Sequence, residues 1–324
     1  MAAQASDSGA AAGVRVLVTG GAGFVGGHLI ANLRRTHADW RIEAPSGPGD
    51  PGGLDVTDAA AVDACIERTQ PDVVVHLAAI AAVTDSVRDP RLTWKVNLDG
   101  ALNIVLALQD KAPKAHLLFV SSAEVYGESL NGPGPTDESA LLQPVNPYAA
   151  SKAAADLMVR QAAANGLSAT IMRPFNHTGA GQGEAFVAPN FAAQIARIEA
   201  GLSPPLIEVG SLDDERDFLD VGDVVRAYVM MLERRGARET AGVFNVASGR
   251  PVRIGDLLEQ LLSMANVRIE VRVDPARLRS APITRVVGDA TRLRSLGWAP
   301  TVPFAETLSA VLEDRRRAVA EARG

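Results

Sequence analysis

The segment Thr19-Gly-Gly-Ala-Gly-Phe-Val-Gly26 constrains the fold of this chain more than any other. It follows a short apolar run, Val14–Thr19, and opens a stretch with helical periodicity, Phe24–Arg34. Gly20, Gly23 and Gly26 stand three residues apart. In a strand–turn–helix unit that spacing allows a tight turn at positive φ. It also lets the backbone approach a pyrophosphate closely, and lets the helix pack tightly on the strand. The helix N-terminus then presents free N–H groups and a positive dipole end to phosphate oxygens. Alone such glycines mark only a Gly-rich turn. With the strand before and the helix after, they predict a dinucleotide site faced by Gly20, Gly23, Phe24, Val25 and Gly26.

The rhythm that starts there continues. Arg41–Ala44 reads as a second strand, and Asp58–Arg68 as a helix with Thr57 as N-cap. Val73–Leu77 reads as a buried strand. Asp89-Pro90 reads as a cap and a first-turn proline opening one long helix to about Ala112. Leu117–Ser121 is a further strand, 127–147 a Pro/Gly/Ser-rich loop, and a helix after Pro147 leads to the strand Ala169–Arg173. Apolar strands alternating with helices predict an α/β fold, a Rossmann-type doubly wound parallel sheet. Beyond Arg173 the rhythm loosens. Helices are expected at Asn190–Ala200, Gly222–Arg234 and Ile254–Ala265. Strands are expected at Leu206–Val209, Val243–Val246 and Arg268–Val273. The predicted organisation is a flexible tail over 1–13 and a dinucleotide-binding domain over 14–175, its sheet completed by about 220–246. A smaller, mostly C-terminal α/β substrate-binding lobe takes 176–219 and 247–324.

Composition narrows the function. A formal net charge of −6 gives no electrostatic case for nucleic acid or an anionic membrane surface. Met1–Gly13 lacks the basic and apolar regions of a signal peptide, and the apolar run Val73–Val83 is too short to span a bilayer. A soluble, cytoplasmic protein is expected. Cys65 is the sole cysteine, so an intrachain disulfide is impossible. It is read as core filling, and no metal site is expected.

The adenosine end of the site is less defined. The stretch Arg41-Ile-Glu-Ala-Pro-Ser-Gly47 offers Glu43 early and nothing acidic at its end, whereas an acidic residue closing the second strand often binds the ribose. Glu43 reads equally as a ribose ligand and as a solvated strand residue, so NAD and NADP both stay open. Asp55-Val56 reads either as a contact to the adenine amino group or as helix initiation. His76-Leu-Ala-Ala79 ends the third strand, where small residues permit close approach of a cofactor; His76 itself reads as a core histidine. In Asn146-Pro-Tyr-Ala-Ala-Ser-Lys152, Tyr148 and Lys152 lie one helical turn apart on one face. An ammonium there favours the phenolate and brings the phenol toward acid–base use at neutral pH.

Taken together, Thr19–Gly26, Asp55-Val56, His76–Ala79, Asn97, Ser121-Ser-Ala-Glu-Val-Tyr-Gly127, Tyr148 and Lys152, Arg173-Pro-Phe-Asn176 and Arg216-Asp-Phe-Leu-Asp-Val221 resemble the extended short-chain dehydrogenase/reductase family, which acts on nucleotide-linked sugars. The resemblance covers nearly the whole chain. It implies NADPH or NADH as cofactor, held by the glycine turn and by Asp55, Val56, Leu77, Ala78, Ala79, Asn97, Tyr148 and Lys152. It further implies that Tyr148 is the general acid, that Lys152 lowers its pKa and holds the nicotinamide ribose, and that Ser122 hydrogen-bonds the substrate carbonyl.

Within the family, Arg173–Gln182, Val209-Gly-Ser-Leu and Arg216-Asp-Phe resemble most the GDP-4-keto-6-deoxy-mannose reductases. The implied reaction is reduction of a 4-keto group, giving a GDP-D-rhamnose type of product. Glu124 stands where the related GDP-mannose 4,6-dehydratases carry a proton-abstracting acid. Ser122 and Ala123 favour reductase over dehydratase, with 4-epimerase third; a dinucleotide-binding protein without catalysis is a lesser alternative. Ser122, Glu124, Asn176, Val187, Arg216 and Arg279 are the expected substrate contacts, with a GDP-linked sugar as partner. The family often has an acidic residue two positions after an Arg-Pro in the Arg279 region, where this chain reads Arg279-Ser-Ala-Pro282. Family members commonly pair through two long helices, here about Pro90–Ala112 and Tyr148–Asn165, which implies a homodimer.

Overall fold

The computed structural model describes residues 13–274 and 283–323. Strand β1 (Arg15–Thr19) enters the core with four buried residues in succession and ends at Gly20, whose φ of 73° is left-handed. Helix α1 (Phe24–Thr36) starts there and carries arginines in its last turn, where they suit the dipole. Strand β2 (Arg41–Glu43) is followed by α2 (Ala59–Thr69). The cap of α2 is Asp58, whose carboxylate accepts from Ala61 N at 3.1 Å. Thr57, the expected cap, instead donates its hydroxyl to Asp55 at 2.8 Å. Strand β3 (Val73–His76) is buried along its whole length, as a β-branched central strand should be.

The helix expected from Pro90 to Ala112 is not uniform. After α3 (Val83–Arg88), Asp89 caps α4 (Pro90–Trp94) through Leu92 N at 2.9 Å. A π-helical turn over Lys95–Asp99 then leads into α5 (Gly100–Lys111). Such turns widen a helix locally, and this one delivers Asn97 to the loop after β3. Strand β4 (His116–Val120), two short 3₁₀ turns and a loop lead to α6 (Pro147–Ala164), capped by Asn146 through Ala149 N at 2.8 Å. Strands β5 (Ala169–Pro174) and β6 (Asn176–Thr178), helix α7 (Val187–Glu199) and strands β7 (Leu206–Val209) and β8 (Glu215–Asp220) come next. They are followed by α8 (Val221–Glu233), β9 (Gly242–Val246), β10 (Pro251–Arg253), α9 (Ile254–Ser263) and β11 (Glu270–Val273). The described chain ends with β12 (Arg285–Val286), α10 (Thr291–Ser295) and α11 (Phe304–Glu321).

The main sheet runs β2-β1-β3-β4-β5-β9, every pair parallel. Helices cover both faces, the arrangement a doubly wound sheet requires. One face packs α1 and α8 over a cluster that includes Val18, Leu29, Met172, Val224 and Tyr228. The other packs α2, α5 and α6 over Leu17, Val74, Ile104, Phe119 and Val159. The strand order reverses between β1 and β3, so a crevice opens at their carboxyl ends. A second sheet, β10-β8-β12 with β6 beside β8, and the pair β7–β11 stand outside this sheet. The cluster joining α7, α9 and α11 contains Ile195, Leu257, Leu261 and Val311.

Candidate functional site

A cavity of about 510 Å³ opens at the carboxyl ends of the central strands. Gly20, Gly23, Phe24, Val25 and Gly26 line it, with Leu77 and Ala79 after β3, Ser122 and Glu124 after β4, and Tyr148 and Lys152 from α6. Asn176 closes it from β6. Residues separated by more than a hundred positions thus share one cleft.

The glycine turn fits a phosphate. A Cβ on Gly26 would stand 2.3 Å from the carbonyl oxygen of Gly20, so the helix reaches this close only without one. Gly23 at the N-cap offers no side-chain acceptor, which leaves the first N–H groups of α1 open to a ligand. Behind the turn, buried His76 holds Thr19 Oγ1 at 2.8 Å through Nδ1. Burial pushes its pKa down to about 3, with Lys152 adding to the effect, so it is a neutral core residue.

Four expected cofactor residues, Asp55, Val56, Ala78 and Asn97, are not among those that line the cleft. Asn97 is buried, and its amide is spent on protein partners. It accepts from Ile80 N at 2.8 Å and donates to Ile80 O at 3.2 Å and Ser151 Oγ at 3.0 Å. It shapes the wall by fixing the loop after β3. Asp55 accepts from Thr57 N at 2.9 Å and from the Thr57 hydroxyl, and these bonds hold its carboxyl below the usual range. Val56 packs where Gly100 has no side chain. Ala78 shares the β3 loop, its N–H directed at Thr19 Oγ1 at 3.5 Å. Glu43 is paired with Arg68 at 2.5 Å.

The acid–base end differs from the expected pairing. Lys152 Nζ donates to the carbonyl of Val120 and sits 4.7 Å from the centre of the Phe119 ring. Burial pulls its pKa down to about 8, and Asp156, one turn further on, opposes the shift. Tyr148 is pushed up to about 12 by burial; a hydrogen bond with Ser122 works against this and the Glu124 charge adds to it. In this structure, then, the lysine is not what sets the phenol. Its ammonium follows a carbonyl acceptor at the strand end, which a desolvated cation needs more than proximity to a phenol. Ser122 is buried, accepts from Glu124 N at 3.2 Å and turns its own hydroxyl to Tyr148. Burial raises the Glu124 pKa, against the charge of Arg216 and a bond from Asn146 Nδ2 at 3.4 Å.

Among the expected substrate residues, Asn176 reaches the cleft, whereas Val187 begins α7 and packs on the apolar cluster beneath it. Arg216 is held by the carbonyls of Glu215, Thr284 and Ile283 and by Asp214 at 3.3 Å. Arg279 lies outside the described residues. The cleft also contains Phe186 and Tyr228, which local patterns did not single out, and Phe175, which the Arg173–Asn176 motif included without a role of its own. His177 lines it too and stacks on Phe24 at 6.3 Å. Their signal is tertiary, since each looks like an ordinary apolar or loop position in the sequence.

Residues 16–247 match the NAD dependent epimerase/dehydratase family. The chain belongs to this family. Among relatives, the GDP-6-deoxy-D-mannose reductase of Pseudomonas aeruginosa is 38% identical over 309 residues, 95% of this chain and 99% of that protein. The GDP-6-deoxy-D-talose 4-dehydrogenase of Aggregatibacter actinomycetemcomitans is 28% identical over 86% of this chain and 90% of its own length. Among solved structures, RMD from Pseudomonas aeruginosa complexed with NADPH superposes with a TM-score of 0.84 at 36% identity, covering 94% of this chain and 99% of that one. The Thermus thermophilus UDP-glucose 4-epimerase complex with NAD gives a TM-score of 0.81 at 30% identity, covering 94% and 100%. The glycine cradle and the uncapped first turn of α1 fit the dinucleotide that this family uses. Among the described residues no group of His, Cys, Asp and Glu is placed to hold a metal ion, and no helix is long and apolar enough to cross a membrane.

Proposed function

We propose that this member of the epimerase/dehydratase family reduces the 4-keto group of a GDP-linked 4-keto-6-deoxy-D-mannose, using NADPH or NADH. The observation that carries the reading is the meeting of Ser122, Tyr148 and Lys152 in a cleft whose other wall is the glycine turn. The near full-length likeness to a GDP-6-deoxy-D-mannose reductase supports the substrate class.

A reduced nicotinamide, when bound, supplies a hydride. The protein's own part is to hold the ketone and to manage the proton. Ser122, with its oxygen accepting from Glu124 N, turns its hydroxyl hydrogen from Tyr148 to the ketone oxygen and stabilises charge as it develops there. Tyr148 is protonated well above neutral pH in this environment, so it enters the reaction as an acid and gives its proton to the same oxygen. Lys152 keeps a positive charge near that event and fixes the end of β4 through Val120. We assign substrate contacts to Asn176 and Arg216 and to the portion of the chain over 176–219 and 247–324. Arg216 exchanges its carbonyl partners for the diphosphate, a geometry that guanidinium suits.

The test is direct. Purified protein given GDP-4-keto-6-deoxymannose should oxidise one of the two reduced nicotinamides, read as loss of their absorbance. No turnover with either form overturns the reading. Glu124 in the cleft favours a second reading, a GDP-mannose 4,6-dehydratase, which turns over GDP-mannose with no added reductant. We also propose a homodimer through α5 and α6. Leu102 and Leu106, one turn apart on α5, and Leu157 on α6 expose 38%, 52% and 52% of their surface, a larger apolar exposure than scattered single residues need.

A further inference from the structure

Among the described residues, four buried side-chain oxygens have no hydrogen-bond partner: those of Ser121, Thr178, Gln182 and Tyr228. Ser121, Gln182 and Tyr228 line the cleft. More than nine in ten buried polar groups in proteins are satisfied, and an exception calls for an explanation such as an absent ligand.

Tyr228 is the most demanding of the three. Its side chain is fully buried, and its hydroxyl combines a donor with acceptor capacity. The ring belongs to the cluster on the α1 and α8 face of the main sheet, together with Met172, Phe175, Val224 and Phe244. Tyr148 arrives from α6, whose buried residues Ala155, Val159 and Ala162 belong to the cluster on the opposite face. The two phenols therefore approach one cleft from opposite faces of the sheet. A charge on Tyr148 is felt at Tyr228, where it adds to the effect of burial and keeps the second hydroxyl protonated.

The position of Tyr228 in the cleft selects the ligand group. α8 packs against α1, the helix opened by the glycine turn, so Tyr228 belongs to the wall that receives the dinucleotide. The phosphates have their site at the turn. The sugar contacts proposed above, Asn176 and Arg216, belong to β6 and β8, which lie outside the main sheet. The far end of the dinucleotide is a nicotinamide, whose ring carries a carboxamide with donors and an acceptor, the complement of an orphaned hydroxyl. We propose that Tyr228 is a positioning residue that hydrogen-bonds the nicotinamide carboxamide and so fixes which way the ring faces Tyr148. The inference rests on the nicotinamide reading of the cleft.

The test is Tyr228→Phe in the full chain, which removes one oxygen and keeps the ring. NADPH and NADH are titrated by their fluorescence, and ADP-ribose and its 2′-phosphate, which lack the nicotinamide, by calorimetry. The dissociation constant of whichever reduced cofactor binds should rise about three- to tenfold, the range for one hydrogen bond. ADP-ribose binding should be unchanged. Because the hydroxyl has no partner in the free protein, the ligand-free melting temperature should equal or exceed that of the wild type. An unchanged cofactor constant, an equal weakening toward ADP-ribose, or a lower ligand-free melting temperature would each overturn the proposal. A wild-type chain that binds neither reduced cofactor overturns the nicotinamide reading itself, and that result is visible without the variant.

Discussion

Asp156 on α6 grips Arg173 on β5 through two parallel hydrogen bonds, Oδ2 to Nε at 2.9 Å and Oδ1 to Nη2 at 2.7 Å, with both side chains shut away from water. The pair ties the helix that bears Tyr148 and Lys152 to the sheet. Arg173 continues to the Tyr126 hydroxyl at 3.0 Å, and Tyr126 to Asn245 at 2.7 Å, so the chain of bonds ends on β9. Removing one partner strands a buried charge. Asp156→Ala should destabilise the protein by about 3–5 kcal/mol, measured by urea denaturation. A loss under about 1 kcal/mol would mean that the pair is dispensable.

Tyr148 is the only group in the cleft that we assign as proton donor to the ketone oxygen. Tyr148→Phe should lower kcat by about 10²–10⁴-fold, with cofactor affinity nearly intact. Steady-state rates and a cofactor titration on the same preparation separate the two. Unchanged kcat would remove the acid role from this residue.

Lys152 carries a burial penalty that depends on pH. Its pKa is about 8 in the fold and 10.5 as a free side chain. A lysine depressed in this way destabilises the fold most below pH 8, where both states are charged. The penalty fades as pH rises from 8 to 10.5 and is gone above that. Lys152→Met should therefore raise stability at neutral pH by up to about 3 kcal/mol and abolish the rise across that window, while activity falls. Denaturant midpoints across the window check the sign.

His76 and His116 make acid destabilising. Burial pulls their pKa values down to about 3 and about 4 from 6.5, helped by Lys152 at the first and Arg235 at the second. Below pH 6.5 the unfolded chain takes up protons that the fold refuses. Stability should fall with decreasing pH by about 1.4 kcal/mol per pH unit for each imidazole, from near 6.5 down to the folded values. His116→Gln should roughly halve this slope between pH 6 and 4, read from melting temperatures.

The exposed leucines of α5 and α6 predict the assembly. Sedimentation should find a dimer, and Leu106→Glu with Leu157→Glu should convert it to monomer without lowering the helix content. A wild-type monomer at micromolar concentration would place these side chains on a free surface.

Much of the fold was legible because its cues are local. The glycine turn, the caps at Asp89 and Asn146 and the continuous apolar strands each depend on a few neighbouring residues. Strand β8 was not recognised, because Glu215-Arg-Asp-Phe-Leu-Asp220 reads as a charged motif. Its acids prove structural. Asp217 accepts from Ser248 N, Gly249 N and Gly288 N, and Asp220 caps α8 through Gly222 N at 2.6 Å. Helix α11 was passed over for want of a start signal.

The sequence by itself determined the succession of the six main-sheet strands, the cradle at Gly20–Gly26 and the placing of Tyr148 and Lys152 on one helical face. Those follow from backbone sterics and a 3.6-residue period, which act over a few bonds. Only the tertiary structure decided that the Lys152 ammonium turns to the Val120 carbonyl, that Asn97 is spent on Ile80 and Ser151, and that Tyr228 meets the cleft with a free hydroxyl. Each of these depends on which distant groups a buried polar atom finds as partners. The chain's local pattern carries no record of that until the sheet has closed around it.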